Sequence, residues 1–437
     1  MHALTMQNIE TFRKGFEADP SARTLGAVMA KTEISELACI PMNAAKLEGG
    51  FTIDLKTRGI TAQEKSGRCW MFAAMNILRE IAAEKLKLDE FELSENYLAF
   101  YDKLEKANNF LEMVIENAEK SVDERISDYI FKGIGDGGYW DMAVDLVKKY
   151  GVVPKWIMPE TYQSSHTEKF MKLLNNLLRK DAAELRSLIA AGKDPAERKL
   201  EMMAEIYKAE CIVFGEPVDT FTFEYRDSDG EYHAEYDLTP KAFYEKYIGL
   251  SLDDYTAVVH VPTDLTPVGK RYEFHYRGNM AEGSIRCLNL EMEELEELVL
   301  KQLQDGEPVW FGCDAGAPGH RQMGIWDPDS FDYEGLLGGI SLEMSKKDRL
   351  ETHASRATHA MILVGVNLDR NGKPDRWKIE NSWGGDVGKN GYFVCSEKYF
   401  KEYVYEAIIH KKHLNEAQKA LLQTEPVRLE PWAGDLI

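Results

Sequence analysis

The sequence predicts an α+β chain, and three observations carry that prediction. Helix-forming runs rich in Ala, Leu, Glu, Met and Lys come first; short, β-branched apolar runs follow from Val309; and no internal repeat or low-complexity segment interrupts either. With 437 residues, 44% of them hydrophobic, the chain is long enough to bury a large core.

Residues 1–60 read as an N-terminal arm. Residues 61–160 read as a helical lobe, in which Ser66-Gly67 signals a helix start and Trp70 to Leu86 contains neither Gly nor Pro. The first half of that helix is apolar almost all round (Trp70, Met71, Phe72, Ala73, Ala74, Met75, Ile77, Leu78), so it belongs inside a domain. Helical sequence continues from Phe91 to Lys132 until Gly133 to Gly138 break it. Residues 161–280 read as an insertion, with charged helices up to Ala209 and then strand-like alternation with turns over Cys211 to Val261. Residues 281–422 form a β lobe, and 423–437 an extended tail.

Composition excludes several classes of function. The formal net charge of −21 opposes binding to phosphate backbones or anionic lipid, which makes nucleic acid a poor partner. No stretch approaches the roughly 20 apolar residues of a membrane span. The first residues lack a basic region followed by an apolar core, so a cytoplasmic protein is expected. The six cysteines (Cys39, Cys69, Cys211, Cys287, Cys313, Cys395) are scattered without zinc or redox spacing, which predicts reduced thiols, no metal and no cofactor.

The chemistry concentrates at Gln63-Glu64-Lys65-Ser66-Gly67-Arg68-Cys69-Trp70. A cysteine opening a helix meets unpaired N–H groups and the positive end of the dipole, which favour a thiolate nucleophile. A thiolate needs a base, and of ten histidines His359 alone opens an apolar strand, Thr358-His359-Ala360-Met361-Ile362-Leu363-Val364. The chain turns at Asp369-Arg370-Asn371-Gly372 and returns through Trp377 to Glu380-Asn381-Ser382-Trp383-Gly384, the pattern of a β-hairpin. A near-symmetric hairpin sets His359 opposite Asn381, whose amide oxygen then orients the imidazole. Trp383 screens that bond, and the Gln63 side-chain N–H joins the Cys69 backbone N–H as an oxyanion donor. Together these parts perform acyl transfer.

On these residues the sequence resembles the papain-like cysteine peptidases, and more narrowly the bleomycin hydrolase and aminopeptidase C branch. Ser66-Gly67-Arg68-Cys69-Trp70, Thr358-His359-Ala360-Met361, Glu380-Asn381-Ser382-Trp383-Gly384, Cys313-Asp314 and Pro431-Trp432 carry the narrower likeness. It implies a two-lobed papain-like fold with large insertions, a homohexameric barrel with inward-facing sites, and a C-terminal arm in the cleft. In that arm the terminal carboxylate, here of Ile437, anchors the free amine of a peptide, so that residues leave from the N-terminus. Gly137-Gly138 form either a cleft wall approached by substrate backbone or a plain turn. Two departures stand out: Ala62-Gln63-Glu64-Lys65-Ser66 replaces the usual Asn-Gln-Lys-Ser-Ser, and the tail ends in a bulky residue. The aminopeptidase expectation therefore stands beside an endopeptidase, a hydrolase of small amides or thiolactones, and a barrel-forming binding scaffold.

Overall fold

Helical sequence without Gly or Pro forms a helical body, and the β-branched runs form a sheet whose central strands are buried on both faces. The computed structural model describes residues 1–281 and 283–436. The Cys69–Leu86 helix ends where Lys87 adopts a left-handed conformation (φ 54°), and its side chains from Trp70 to Arg79 are nearly all buried. Around it lie the helices Glu95–Glu116, Trp140–Tyr150, Glu168–Ala190 and Ala196–Phe214. The last two begin within residues 161–280 as charged, amphipathic sequence, so one face of each packs and the other is solvated.

The strands form one mixed sheet. At its centre Val404–His410, Val309–Cys313, His359–Leu368 and Pro374–Glu380 run side by side and antiparallel. Outward from Val404–His410 lie Tyr255–Val259, Ile285–Asn289 and Lys270–Phe274, and the tail strand Val427–Leu429 closes that edge. The sheet therefore draws strands from residues 161–280 as well as from 281–422. It also takes Ile53–Asp54 of the arm, paired to His359–Leu368. The hairpin of Phe221–Arg226 and Tyr232–Leu238 stands apart.

Alternation along the His359 strand assigns its two faces. Ala360, Ile362 and Val364 join Trp70, Trp310 and Tyr405 in the core against the helical body. Met361 and Leu363 join Phe311, Leu295 and Val299 beneath the helix Met292–Gln304. The Trp310 indole donates to the Trp70 carbonyl at 3.0 Å, fixing the Cys69 helix to the sheet. The hairpin register differs from the symmetric expectation. Ile362 faces Glu380, and the ladder stops there with a bulge between Leu363 and Gly365, so Asn381 lies beyond the last pair rather than opposite His359.

Candidate active site

A cleft of about 580 Å³ opens between the two bodies, and Gln63, Cys69, Gly137, Gly138 and His359 all line it. Cys69 is the first residue of its helix. Arg68 precedes it with no side-chain cap, so the first N–H groups are left to the cleft. Arg68 instead forms a bidentate pair with Glu160, at 3.1 and 2.9 Å, with its own side chain almost wholly buried.

His359 opens its strand opposite Cys313. Its Nε2–H donates to Oδ1 of Asn381 at 2.8 Å, and the Ser382 backbone N–H donates to the same oxygen at 2.8 Å. Two donors on one atom fix the amide orientation, and the imidazole keeps Nδ1 free for a proton from the thiol. Trp383 stacks on the imidazole at 4.7 Å between ring centres, and the Arg321 guanidinium covers the indole at 4.6 Å. Gln63 is held at both ends of its amide: Nε2 donates to the Ser66 carbonyl (2.6 Å) and Oε1 accepts from the Ser382 hydroxyl (2.7 Å). One N–H of the amide remains for the cleft.

Burial raises the Cys69 thiol pKa, against the pull of N–H groups from Ala360, Trp70 and Cys69 itself. Burial also lowers His359 to about 4, with Asn381 opposing that shift and Arg321 adding to it. The helix terminus thus does not outweigh desolvation, and the thiol stays above its ordinary value.

The glycine turn is a wall of the cleft. A Cβ on Gly138 would lie 2.5 Å from the Trp70 indole, so only glycine permits this approach. Lys106, buried at the base of the wall, donates to the carbonyls of Gly135 (3.1 Å) and Gly137 (2.7 Å) and pairs with Asp102 at 2.9 Å. Asp136 accepts from the Gly67 N–H at 3.0 Å and from Thr167, and pairs with Lys103 at 3.0 Å. Burial alone would raise the Asp136 carboxyl, but Lys103 and these donors hold it below the usual carboxylate range. Sequence reading missed this charged base, because Lys103, Lys106 and Asp136 look like solvated helix and turn charges until the chain is folded.

The tail strand delivers Gly434 to the same cleft. The Gly434 carbonyl accepts from Arg277 at 2.9 Å and from the Tyr139 hydroxyl at 3.4 Å, and both side chains line the cleft. Ile437 lies outside the described residues. Two acidic and histidine clusters, Asp227 with Glu231 and His233, and Asp305 with Glu307 and His413, have metal-like spacing away from the cleft. Ion pairs already engage both, His233 to Asp227 at 2.9 Å and Lys412 to Asp305 at 3.1 Å.

A model of the Peptidase C1-like family matches residues 3–434. The chain belongs to that family. Aminopeptidase C of Listeria monocytogenes is 41% identical over 431 residues, 98% of this chain and 97% of the relative. Aminopeptidase G of Lactobacillus delbrueckii subsp. lactis is 43% identical over 435 residues, 99% of each. The crystal structure of PepW from Lactobacillus rhamnosis HN001 superposes with a TM-score of 0.96 at 39% identity, covering 100% of this chain and 98% of that one. The α+β papain-like fold expected from the sequence is the fold of this family member, as is the resemblance to the aminopeptidase C branch.

Proposed function

We propose that this Peptidase C1-like chain is a cysteine-type aminopeptidase in which Cys69 attacks the carbonyl of a peptide's first residue. His359 Nδ1 takes the thiol proton as the C–S bond forms. The backbone N–H of Cys69 and the free N–H of Gln63 hold the oxygen that becomes negative. The imidazolium then gives its proton to the leaving amine, and the C–N bond breaks to leave a thioester. Water, deprotonated by His359, releases the first residue and regenerates the thiol. Asn381 keeps the ring in one tautomer throughout, and Trp383 shields that bond from water. Peptides are the substrates. The observation that carries the reading is the His359–Asn381 bond of 2.8 Å in a cleft shared with a cysteine at a helix terminus.

The restriction to free N-termini comes from the tail. Beyond Gly434, which Arg277 and Tyr139 hold at the cleft, the Ile437 carboxylate pairs with the substrate ammonium, and Gly137-Gly138 border the bound backbone. The enzyme works as a homohexamer; support comes from the helix Met6–Glu17, none of whose residues is buried in the single chain. It works in the cytoplasm, a reading supported by six cysteines that are all free thiols. Among the described residues no helix is long and apolar enough to cross a membrane.

The test is cleavage of one short peptide with a free and with an acetylated N-terminus, by the full chain and by a chain ending at Gly434, with Cys69→Ala as blank. The full chain is expected to cut only the free peptide, and the shortened chain to cut both. If shortening changes nothing, the tail is not the ruler, and endopeptidase or amidase action replaces aminopeptidase action.

A further inference from the structure

The turn that precedes the short strand Ile325–Trp326 sets Arg321 over Trp383, and the acyl-transfer steps give this arginine no task. The turn is held in place from both sides. Gly324 donates its N–H to the carbonyls of His320 (2.9 Å) and Arg321 (3.2 Å), and the Gln322 amide donates to the Asp386 carbonyl at 3.0 Å, on the loop that follows Trp383. A Cβ on Gly324 would lie 2.5 Å from Gly388 of the same loop, so the two segments pack backbone to backbone. Trp383 itself is fixed by Phe393 and Trp326 at its edges and by its stack on His359. The Arg321 guanidinium lies 4.6 Å from the indole centre and the imidazole 4.7 Å, so the cation is at most two such spacings from the base. Burial keeps that imidazole neutral, and the Arg321 charge adds to the effect. The chain has 74 acids to 53 lysines and arginines, yet no carboxylate pairs with Arg321 among the described residues, whereas the adjacent His320 holds Glu36 at 3.1 Å.

We infer that Arg321 is a specificity residue that binds the terminal carboxylate of a short peptide on the leaving-group side of the site. The chemistry tells the two sides apart. His359 hands its proton to the departing amine, so the peptide beyond the scissile bond runs past the imidazole and the indole stacked on it. The acyl part lies along Gly137-Gly138 toward Tyr139 and Arg277, and neither Trp383 nor Arg321 lines that stretch of the cleft. Each residue of extended chain spans at most about 3.6 Å, so a carboxylate one or two residues past the scissile bond, as in a di- or tripeptide, comes within reach of the guanidinium. The planar guanidinium then takes both carboxylate oxygens through parallel N–H bonds while its face stays on the indole. A longer peptide carries its terminal charge past Arg321 and gains nothing from it. The inference rests on the acyl-transfer reading and extends it to the length of peptide preferred: with the ammonium met by the tail, the site reads both ends of a short substrate.

Two measurements test it, both near neutral pH, well above the value of about 4 at which His359 takes its proton. In the first, kcat/KM is compared for Met-Ala-Ala as the free acid and as the C-terminal amide, with wild type and Arg321→Gln. The acid:amide ratio is expected to fall by about fivefold or more in Arg321→Gln. Taking the ratio within each protein cancels any change in the base or in the folded fraction. The amide of Met-Ala-Glu places a carboxylate on a side chain instead, and wild type is expected to cut it more slowly than the free acid. An unchanged ratio in Arg321→Gln, or a glutamate amide cut as fast as the free acid, overturns the inference. The second needs no peptidase activity: acetyl-Ala-Ala as the free acid is expected to slow alkylation of Cys69 by iodoacetamide more than its amide does in wild type, and the difference is expected to vanish in Arg321→Gln. Equal protection by acid and amide in wild type overturns the inference. Stronger protection by the acid in a protein that releases no first residue sustains it and strikes the aminopeptidase reading alone.

Discussion

His359 is poised by burial and two neighbours whose effects differ in sign, and this makes its titration a test of the site. Burial and Arg321 lower its pKa, Asn381 raises it, and the balance is about 4. The base must be neutral to accept the thiol proton, so kcat/KM is expected to stay level from pH 7 down to about 5 and to fall near pH 4, rather than near the ordinary histidine value of 6.5. Asn381→Ala removes a bond that favours the protonated ring, so its acid limb moves lower, while Arg321→Met removes a repelling charge and moves it higher. A pH–rate series on the three proteins checks both directions; a limb at 6.5 in wild type would contradict the buried-imidazole account. Stability carries the same sign. The unfolded chain binds the proton at about 6.5 and the folded chain only near 4, so this group's contribution is intact above 6.5 and is lost as pH falls through 4. At this scale Cys69, His359, Asn381 and Gln63 were legible because each sits in a strong local context: a helix start, a strand start, a hairpin return. Arg321 was not, since a lone charge on a loop gains meaning only from Trp383, distant in sequence.

Among the elements, the glycine turn shows how a short segment can be plain in sequence and demanding in space. Gly137-Gly138 read as a cleft wall or as a plain turn, and in the structure Gly138 packs against the Trp70 indole. The indole is rigid, 1% exposed, and its Nε1 donates to the Asp136 carbonyl at 2.8 Å, while Lys106 lies 5.3 Å over its ring. It cannot retreat from an added methyl. Gly138→Ala is therefore expected to cost about 1–3 kcal/mol of stability by overpacking. It should also lower kcat/KM by displacing the wall, whereas Gly50→Ala, at a site with open space around it and no positive φ, should spare the wall. Thermal unfolding and peptide kinetics on the two variants separate the effects; equal behaviour would mean that the wall tolerates movement. The hairpin carries a related lesson. Asn-Gly located the turn, but the register is already offset from the symmetric one at the turn, where Leu368 faces Pro374, and stays offset as far as Ile362 and Glu380.

The whole molecule holds one sheet that recruits strands from the arm, the insertion and the tail, and that reach across the chain was hidden from local patterns. Pairing of Tyr255–Val259 and Lys270–Phe274 with later strands depends on contacts over more than a hundred residues, such as Ala257 with Ile408. The same reach leaves the helices Met6–Glu17 and Pro20–Met29 without a buried residue in the single chain. In the helix Met6–Glu17, Thr5 and Asn8 form a capping box, so the helix is well started, yet Ile9, Phe12 and Phe16 fall on one face and are 36%, 58% and 57% exposed. An apolar stripe held on a capped helix is costly in water and is satisfied when a second copy covers it. Phe12→Glu with Phe16→Glu places two carboxylates in that stripe without touching the core, since neither side chain is buried. Sedimentation is expected to show the proposed homohexamer for wild type and smaller species for the double variant, with the unfolding of each single chain little changed. A double variant that remains as large as wild type would assign the subunit contacts to another surface and leave the helix as an arm for some other role.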